Sequence, residues 1–128
     1  MFIRFAINKL DEDSNKRQGI FVALGELSDR GELLEYEEEI YKNIKSWFIK
    51  NLNVPTSLSK SKKPNAKFTT ISWYKDTATE HISRMYELVS LLEAHDIHVN
   101  VMRTEKPGYV VYEDDHQVSA KPTNDTET

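Results

Sequence analysis

The chain opens on an alternation. Ile3, Phe5 and Ile7 point one way, and Phe2, Arg4, Ala6 and Asn8 the other, so Phe2 to Leu10 reads as a strand whose Ile3 side meets a core. Asp11 to Asn15 breaks the pattern as a polar loop that ends in a helix cap. From about Lys16 to Asp29 the pattern is double-valued. Gly19 to Leu24 suits a buried strand, but Ile20, Ala23, Leu24 and Leu27 share one helical face and Gly31 supplies a stop, which favours a helix with Gly25 as its weak point. A helix from about Leu33 to Asn51 carries the apolar stripe Tyr36, Ile40, Ile44, Trp47 and Phe48. Glu35, Glu37, Glu38 and Glu39 open it and Lys42, Lys45 and Lys50 follow, an order that suits the helix dipole and reads as a solvated helix start.

Residues 53 to 67 form a basic, serine-rich linker between helices, read as a flexible loop, with Pro55 and Pro64 inside it. Phe68 to Trp73 returns as a short strand. A further helix starts near Asp76 or Thr77, where Thr77 and Glu80 have capping-box spacing, and its stripe is Ile82, Met85, Tyr86, Val89 and Leu92. It ends around His95-Asp96. Ile97 to Met102, Tyr109 to Tyr112 and Gln117 to Ala120 then read as a meander with turns at Lys106-Pro107-Gly108 and Asp114-Asp115. These elements predict one α+β domain over residues 1–120. A small, mostly antiparallel sheet of the N-terminal strand and the C-terminal meander packs against about three helices, and 121–128 is a disordered tail.

Composition narrows the function classes. In 128 residues there are 38% hydrophobic and 30% charged side chains, ordinary for a globular domain, and a net charge of -4 argues against a globally basic nucleic-acid binder. Absence of cysteine removes disulfides, thiol nucleophiles and iron–sulfur ligation. The N-terminal segment is too short and too soon charged for a signal peptide, and no apolar run approaches the ~18 residues of a membrane span. A cytoplasmic protein without a membrane partner is the expectation. Nothing in the sequence indicates an oligomeric state.

Three groups of residues have chemical potential. His95 and His98 with Asp96, and His116 with Asp114 and Asp115, are metal-donor types, but the first pair straddles a helix end and all suit caps and turns, so no metal or other cofactor is assigned. Trp73, Tyr74 and Lys75 precede the last helix, His81 lies in its first turn, and Arg103, Tyr109 and Tyr112 lie on the meander strands. Aromatic rings with cations suit an anionic or nucleotide-like ligand, provided that Lys75 and Arg103 reach the same side of the molecule. Core packing of Trp73 and half-burial of the tyrosines explain the same residues without a ligand. Lys60, Lys62, Lys63 and Lys67, interleaved with serine, suit polyanion contact through the loop, or simply a polar linker. Asp11, Asp13 and Asn15 open like a calcium loop, but Lys16 and Val22 stand where it needs glycine and glutamate.

Ile71-Ser72-Trp73-Tyr74-Lys75, the helix with Glu80-His81-Ile82, Arg103-Thr104, and Pro107-Gly108-Tyr109 through to Val118 together resemble a widespread set of small uncharacterised bacterial proteins. The similarity extends to Arg17 to Phe21 and to Tyr36 to Glu39. It implies a bacterial, cytosolic protein and brings no activity with it. Two function classes therefore stand: a binding or regulatory module recognising an anionic, phosphate-containing ligand or nucleic acid, and a small enzyme on a nucleotide-like or phosphate-containing substrate with His81 or His116 as acid/base. The first is preferred, because no nucleophile, base and orienting group can be assembled from the spacing.

Overall fold

The opening alternation becomes the strand around which the sheet is built. The computed structural model describes residues 1–10, 17–54, 70–123, 126 and 128. In chain order the elements are β1 (Phe2–Leu10), β2 (Arg17–Gly19), α1 (Ile20–Asp29), α2 (Glu35–Asn51), β3 (Ile71–Lys75), α3 (Thr79–Ala94), β4 (Asn100–Thr104), β5 (Tyr109–Glu113) and β6 (Gln117–Lys121). This is the expected small α+β domain, and its strand pairings are antiparallel. No helix among the described residues is long and apolar enough to cross a membrane.

β1 has β4 along one edge, paired from Phe2↔Thr104 to Ala6↔Asn100. Its other edge is shared: β3 pairs at Phe2↔Lys75 and Ile3↔Tyr74, and β2 takes over from Ala6↔Gly19. β6 then pairs with β3, and β5 with β6. The C-terminal strands are thus not a continuous meander, since β4 and β5 lie at opposite edges. Only Glu105 to Gly108 join them, a connection of at most about 18 Å. A flat sheet would set those edges about 19 Å apart before any offset along the strands, so the sheet must curl. Gly108 makes the crossing feasible. Its φ is +115°, and a Cβ there would lie 2.1 Å from the Lys121 carbonyl oxygen.

Ile3, Phe5 and Ile7 face the helices, where they join Ile20, Leu24, Leu27, Ile44, Phe48, Met85, Leu88 and Leu92 in the main core. The helix-free face carries a second core of Ala6, Ile71, Trp73, Met102 and Val118, gathered from four strands. On that side the Thr128 main-chain oxygen accepts from the Arg17 N–H and from Arg4 Nη1, and Thr126 is buried.

α1 buries Ile20, Ala23, Leu24 and Leu27, the face read from the sequence, but it starts at Ile20 because Arg17 to Gly19 are used as β2. The other two stripes are met in part: Ile44, Phe48, Met85 and Leu92 are buried as expected, and Trp47, Ile82 and Val89 pack partly buried against the core. α2 buries Glu37, Tyr41, Ile44 and Phe48, leaving Tyr36 and Ile40 exposed. α3 buries His81, Met85, Leu88, Leu91 and Leu92, leaving Tyr86 exposed. The Thr77–Glu80 capping box does not form. Ala78, 3% exposed, is the N-cap residue, and its N–H closes a turn onto the Lys75 carbonyl.

Both α1 and α3 end in Schellman turns. After α1, Glu32 N–H bonds Leu27 O and Gly31 N–H bonds Ser28 O, with Gly31 at φ 68°. After α3, Ile97 N–H bonds Leu92 O and Asp96 N–H bonds Glu93 O, and the left-handed position (φ 60°) holds Asp96. Asp96 is exposed, so Asp96→Gly should raise the unfolding free energy by up to about 1 kcal/mol by removing the Cβ penalty. Chemical denaturation of the two proteins checks this.

Candidate functional site: a cleft where the central strand changes partners

The β1–β3 register ends at Ile3↔Tyr74, and the β1–β2 register begins at Ala6↔Gly19. Between them the edge of β1 is split at Arg4 and Phe5. A cleft of about 460 Å³ opens there, within the size range of small-molecule sites. Its strand wall is Arg4, Phe5 and Ser72 to Tyr74; its helical walls are the first turn of α1 and the last turn of α2 with Leu52 to Val54. Because β2 runs straight into α1, the helix start is aimed at the split. Gly19 is the N-cap residue, no side chain caps this end, and the first turn holds no acid. Ile20, Phe21 and Val22 thus present N-terminal backbone N–H groups beside an apolar surface.

Lys45 and Arg4 are the charged residues among the described lining, and no Asp or Glu joins them. Arg4 is engaged: Nη1 donates to Thr128 O at 2.9 Å and Nη2 to Arg17 O at 2.7 Å. Lys45 stands exposed over the Tyr41 ring. Apolar side chains exposed at the rim are Val22, Ile49 and Val54, at 49%, 73% and 80%. Trp73 also lines the cleft. It is 1% exposed, and its Nε1–H has no acceptor among the described residues.

An aromatic cluster backs the cleft. Tyr74 meets Phe5 and Phe48 with ring centroids 6.3 and 6.2 Å apart, and desolvation pushes its hydroxyl well above the ordinary tyrosine range. His81, 4% exposed, shares a hydrogen bond of 2.8 Å with the Asn51 carbonyl through Nε2. Its ring lies 4.7 Å from Trp47 and 4.4 Å from His116, and the Arg84 guanidinium lies over the Trp47 ring at 3.8 Å. Asp114 supports this region from the β5–β6 turn. Its Oδ1 accepts the His116 and Gln117 N–H groups, and its Oδ2 accepts the Tyr112 hydroxyl and Gln117 Nε2. Burial pulls the Asp114 carboxyl upward, but these bonds outweigh it and hold the group below its ordinary value. The Tyr112 hydroxyl is raised, by its bond to Asp114 and then by desolvation. Gln117, a cleft residue, passes the order on by donating to Asn53 O at 2.6 Å.

The seven residues grouped from the sequence are therefore divided. Trp73 and Tyr74 line the cleft and His81 packs behind it, whereas Lys75 and Arg103 are on opposite faces of the sheet. Lys75 is the cross-strand partner of Phe2 and Arg103 of Ile3, and adjacent residues of a strand face opposite ways. Lys75 pairs with Glu113 at 2.6 Å, and Arg103 donates to the Tyr86 hydroxyl at 3.2 Å. Tyr109 is 70% exposed on the edge strand, and Tyr112 is committed to Asp114. A single pocket spanning all seven does not form. His95 is used by Glu37 at 2.9 Å, and His98 lies 4.0 Å from Glu93. No group of three or more metal-donor side chains gathers among the described residues. Lys60, Lys62, Lys63 and Lys67, and the Asp11 to Asn15 segment, lie outside the described residues.

Sequence reasoning missed the α1 N-terminus, Phe48, Ile49, Leu52 and Ser72. One signal was available: Gly19 stands where a helix start ordinarily carries Ser, Thr, Asp or Asn. Neither the family models, the curated proteins nor the solved structures contain a match to this chain.

Proposed function

We propose that this protein is a cytoplasmic binding module for a small, mainly apolar ligand that carries one anionic group. The observation that carries the reading is the cleft itself: an apolar cavity of about 460 Å³ into which an uncapped helix N-terminus opens, with cations and no carboxylates in its described lining. An apolar body gains by leaving water, and an acidic group gains from the helix start and Lys45. Binding is favoured over an acid/base reaction because His81 is closed in by Trp47, Phe48 and His116 and its Nε2 is held by a backbone carbonyl. The expected ligand remains anionic, as the sequence suggests, but its bulk is apolar and the residues that meet it are different.

Gly19 offers a clean test. Its φ and ψ are -74° and 164°, open to any residue, and a Cβ there meets nothing within 4 Å. Gly19→Phe should fill the cleft while costing the fold at most about 1 kcal/mol for a poorer cap residue. Calorimetric titration with nonanoate, and displacement of anilinonaphthalene sulfonate fluorescence, should show binding by the wild type and none by Gly19→Phe. Equal binding by both proteins would show that the ligand does not sit in the cleft.

A further inference from the structure

We infer that a separate cavity, bounded by the end of β1, the α1 helix and the turn after α3, binds a linear aliphatic diamine, with one ammonium at the Gln18 amide oxygen and Asp96 and the other at Glu93. The cavity measures about 360 Å³. Gln18, on β2, is 4% exposed. Its Nε2 donates to Glu26 Oε1 at 2.9 Å, and Gln18 and Glu26 both line this cavity, so the amide belongs to its wall. The other end of that amide, Oε1, is buried and has no donor among the described residues. A buried acceptor without a partner costs free energy that a ligand N–H recovers. Asp96 lines the same cavity; it is exposed, and its carboxylate has no hydrogen-bond or ion-pair partner among the described residues. A neutral acceptor and an ionised one call for a group that brings several N–H bonds and a positive charge, and a primary ammonium has three donors.

The cations of the lining are engaged. Lys9 Nζ pairs with Glu26 Oε2 at 3.1 Å, and Arg30 Nε with Glu32 Oε1 at 3.4 Å. A bare metal ion is not suited, because no three His, Asp or Glu side chains gather among the described residues. The second ammonium follows from the neighbouring cavity, of about 250 Å³, which shares Asp96, Ile97 and His98 with the first and adds Glu93. Glu93 faces His98 at 4.0 Å, too far for a hydrogen bond, so its carboxylate is open to a donor. The joined cavities thus offer acceptors in both parts and the half-buried Ile97 in common. A linear diamine has the same pattern: a charge at each end, and methylenes between them that gain by covering apolar surface.

Calorimetric titration at neutral pH and low salt with butane-1,4-diamine and with hexane-1,6-diamine should show saturable binding of at least one of them by the wild type. The matching monoamine, butylamine or hexylamine, should bind about fivefold more weakly or worse, the scale of one partly screened ion pair. The bis-quaternary form of the same diamine, methylated at every nitrogen position, keeps both charges but has no N–H for the Gln18 oxygen, and should bind about tenfold more weakly or worse. Asp96→Asn removes one charge at a left-handed position that asparagine tolerates, and Glu93→Gln removes the other on an exposed helix position, so both variants retain the fold. Each should weaken the diamine about fivefold or more. Failure of the wild type to bind either diamine, equal binding of the diamine and its bis-quaternary form, or undiminished binding by both variants overturns the assignment. None of these results bears on the cleft, whose ligand carries the opposite charge.

Discussion

Glu37→Ala should lower the unfolding free energy by about 3 kcal/mol, the scale of losing charge-assisted bonds and a buried pair. A helix-start glutamate is ordinarily solvated, yet Glu37 is 2% exposed. Its Oε1 accepts the Leu34 N–H at 2.9 Å, half of a capping box whose other half leucine has no acceptor to complete. The same oxygen meets His95 Nε2 at 2.9 Å and ties the start of α2 to the end of α3. Alanine strands both partners and leaves a gap between the helices. Glu37→Gln keeps an acceptor for Leu34 but not the charge, and should lose about half as much. The Leu34 bond is the main cause that holds the carboxyl below its ordinary range; desolvation opposes it and His95 assists. Because the folded-state pKa lies below the unfolded one, about 4.3, the stabilisation is complete above that value and is lost as pH falls through the folded pKa. Urea unfolding across the acid range should therefore show a shallower decline in Glu37→Gln than in the wild type.

The second large effect is expected at Asp114. Asp114→Ala removes the acceptor of four bonds, at 2.8, 3.0, 2.8 and 3.1 Å, and should cost about 3 kcal/mol, since bonds to a charged group exceed neutral ones. Gln117 would retain its bond to Asn53 while losing its turn partner, so the damage reaches the cleft wall. Thermal and urea unfolding measure the loss. Asp114→Asn should be milder, because one side-chain oxygen remains to accept the His116 and Gln117 N–H groups. The sign of the pH effect matches Glu37. A depressed folded-state pKa stabilises above the unfolded value, about 3.9, and the contribution disappears as pH falls through the folded pKa.

What could be read in the sequence was what local pattern determines. β1 is a period of two with its apolar side on Ile3, Phe5 and Ile7, and α1 is a single helical face closed by Gly31. The β5–β6 hairpin has turn residues at its tip. The faces of α2 and α3 were read correctly at Ile44, Phe48, Met85 and Leu92 and missed elsewhere for a shared reason. Their buried stripes, 37-41-44-48 and 81-85-88-92, each begin with a titratable residue whose partner is remote. Glu37 is matched by His95, 58 positions away, and His81 by the Asn51 carbonyl, 30 positions away. Counting apolar residues excludes such groups, and the stripe turns toward Tyr36 and Ile40 or toward Tyr86 instead. Tyr74 and Trp73 were within reach as cleft residues, but Lys75 and Arg103 were not separable without the register that sets Phe2 and Ile3 opposite them. The cleft itself depends on β1 exchanging β3 for β2, a long-range event with no local signature.

Backbone amide shifts of the isotopically labelled protein, followed by NMR during titration with nonanoate, report where a ligand sits without any substitution. Ligand in the cleft should produce saturable changes concentrated at Gly19 to Val22, Leu52 to Val54 and Ser72 to Tyr74, the residues around the split in the sheet. Changes concentrated instead around Lys9, Gln18, Arg30 and His98, which line a separate cavity, or no saturable change at any amide, would contradict it.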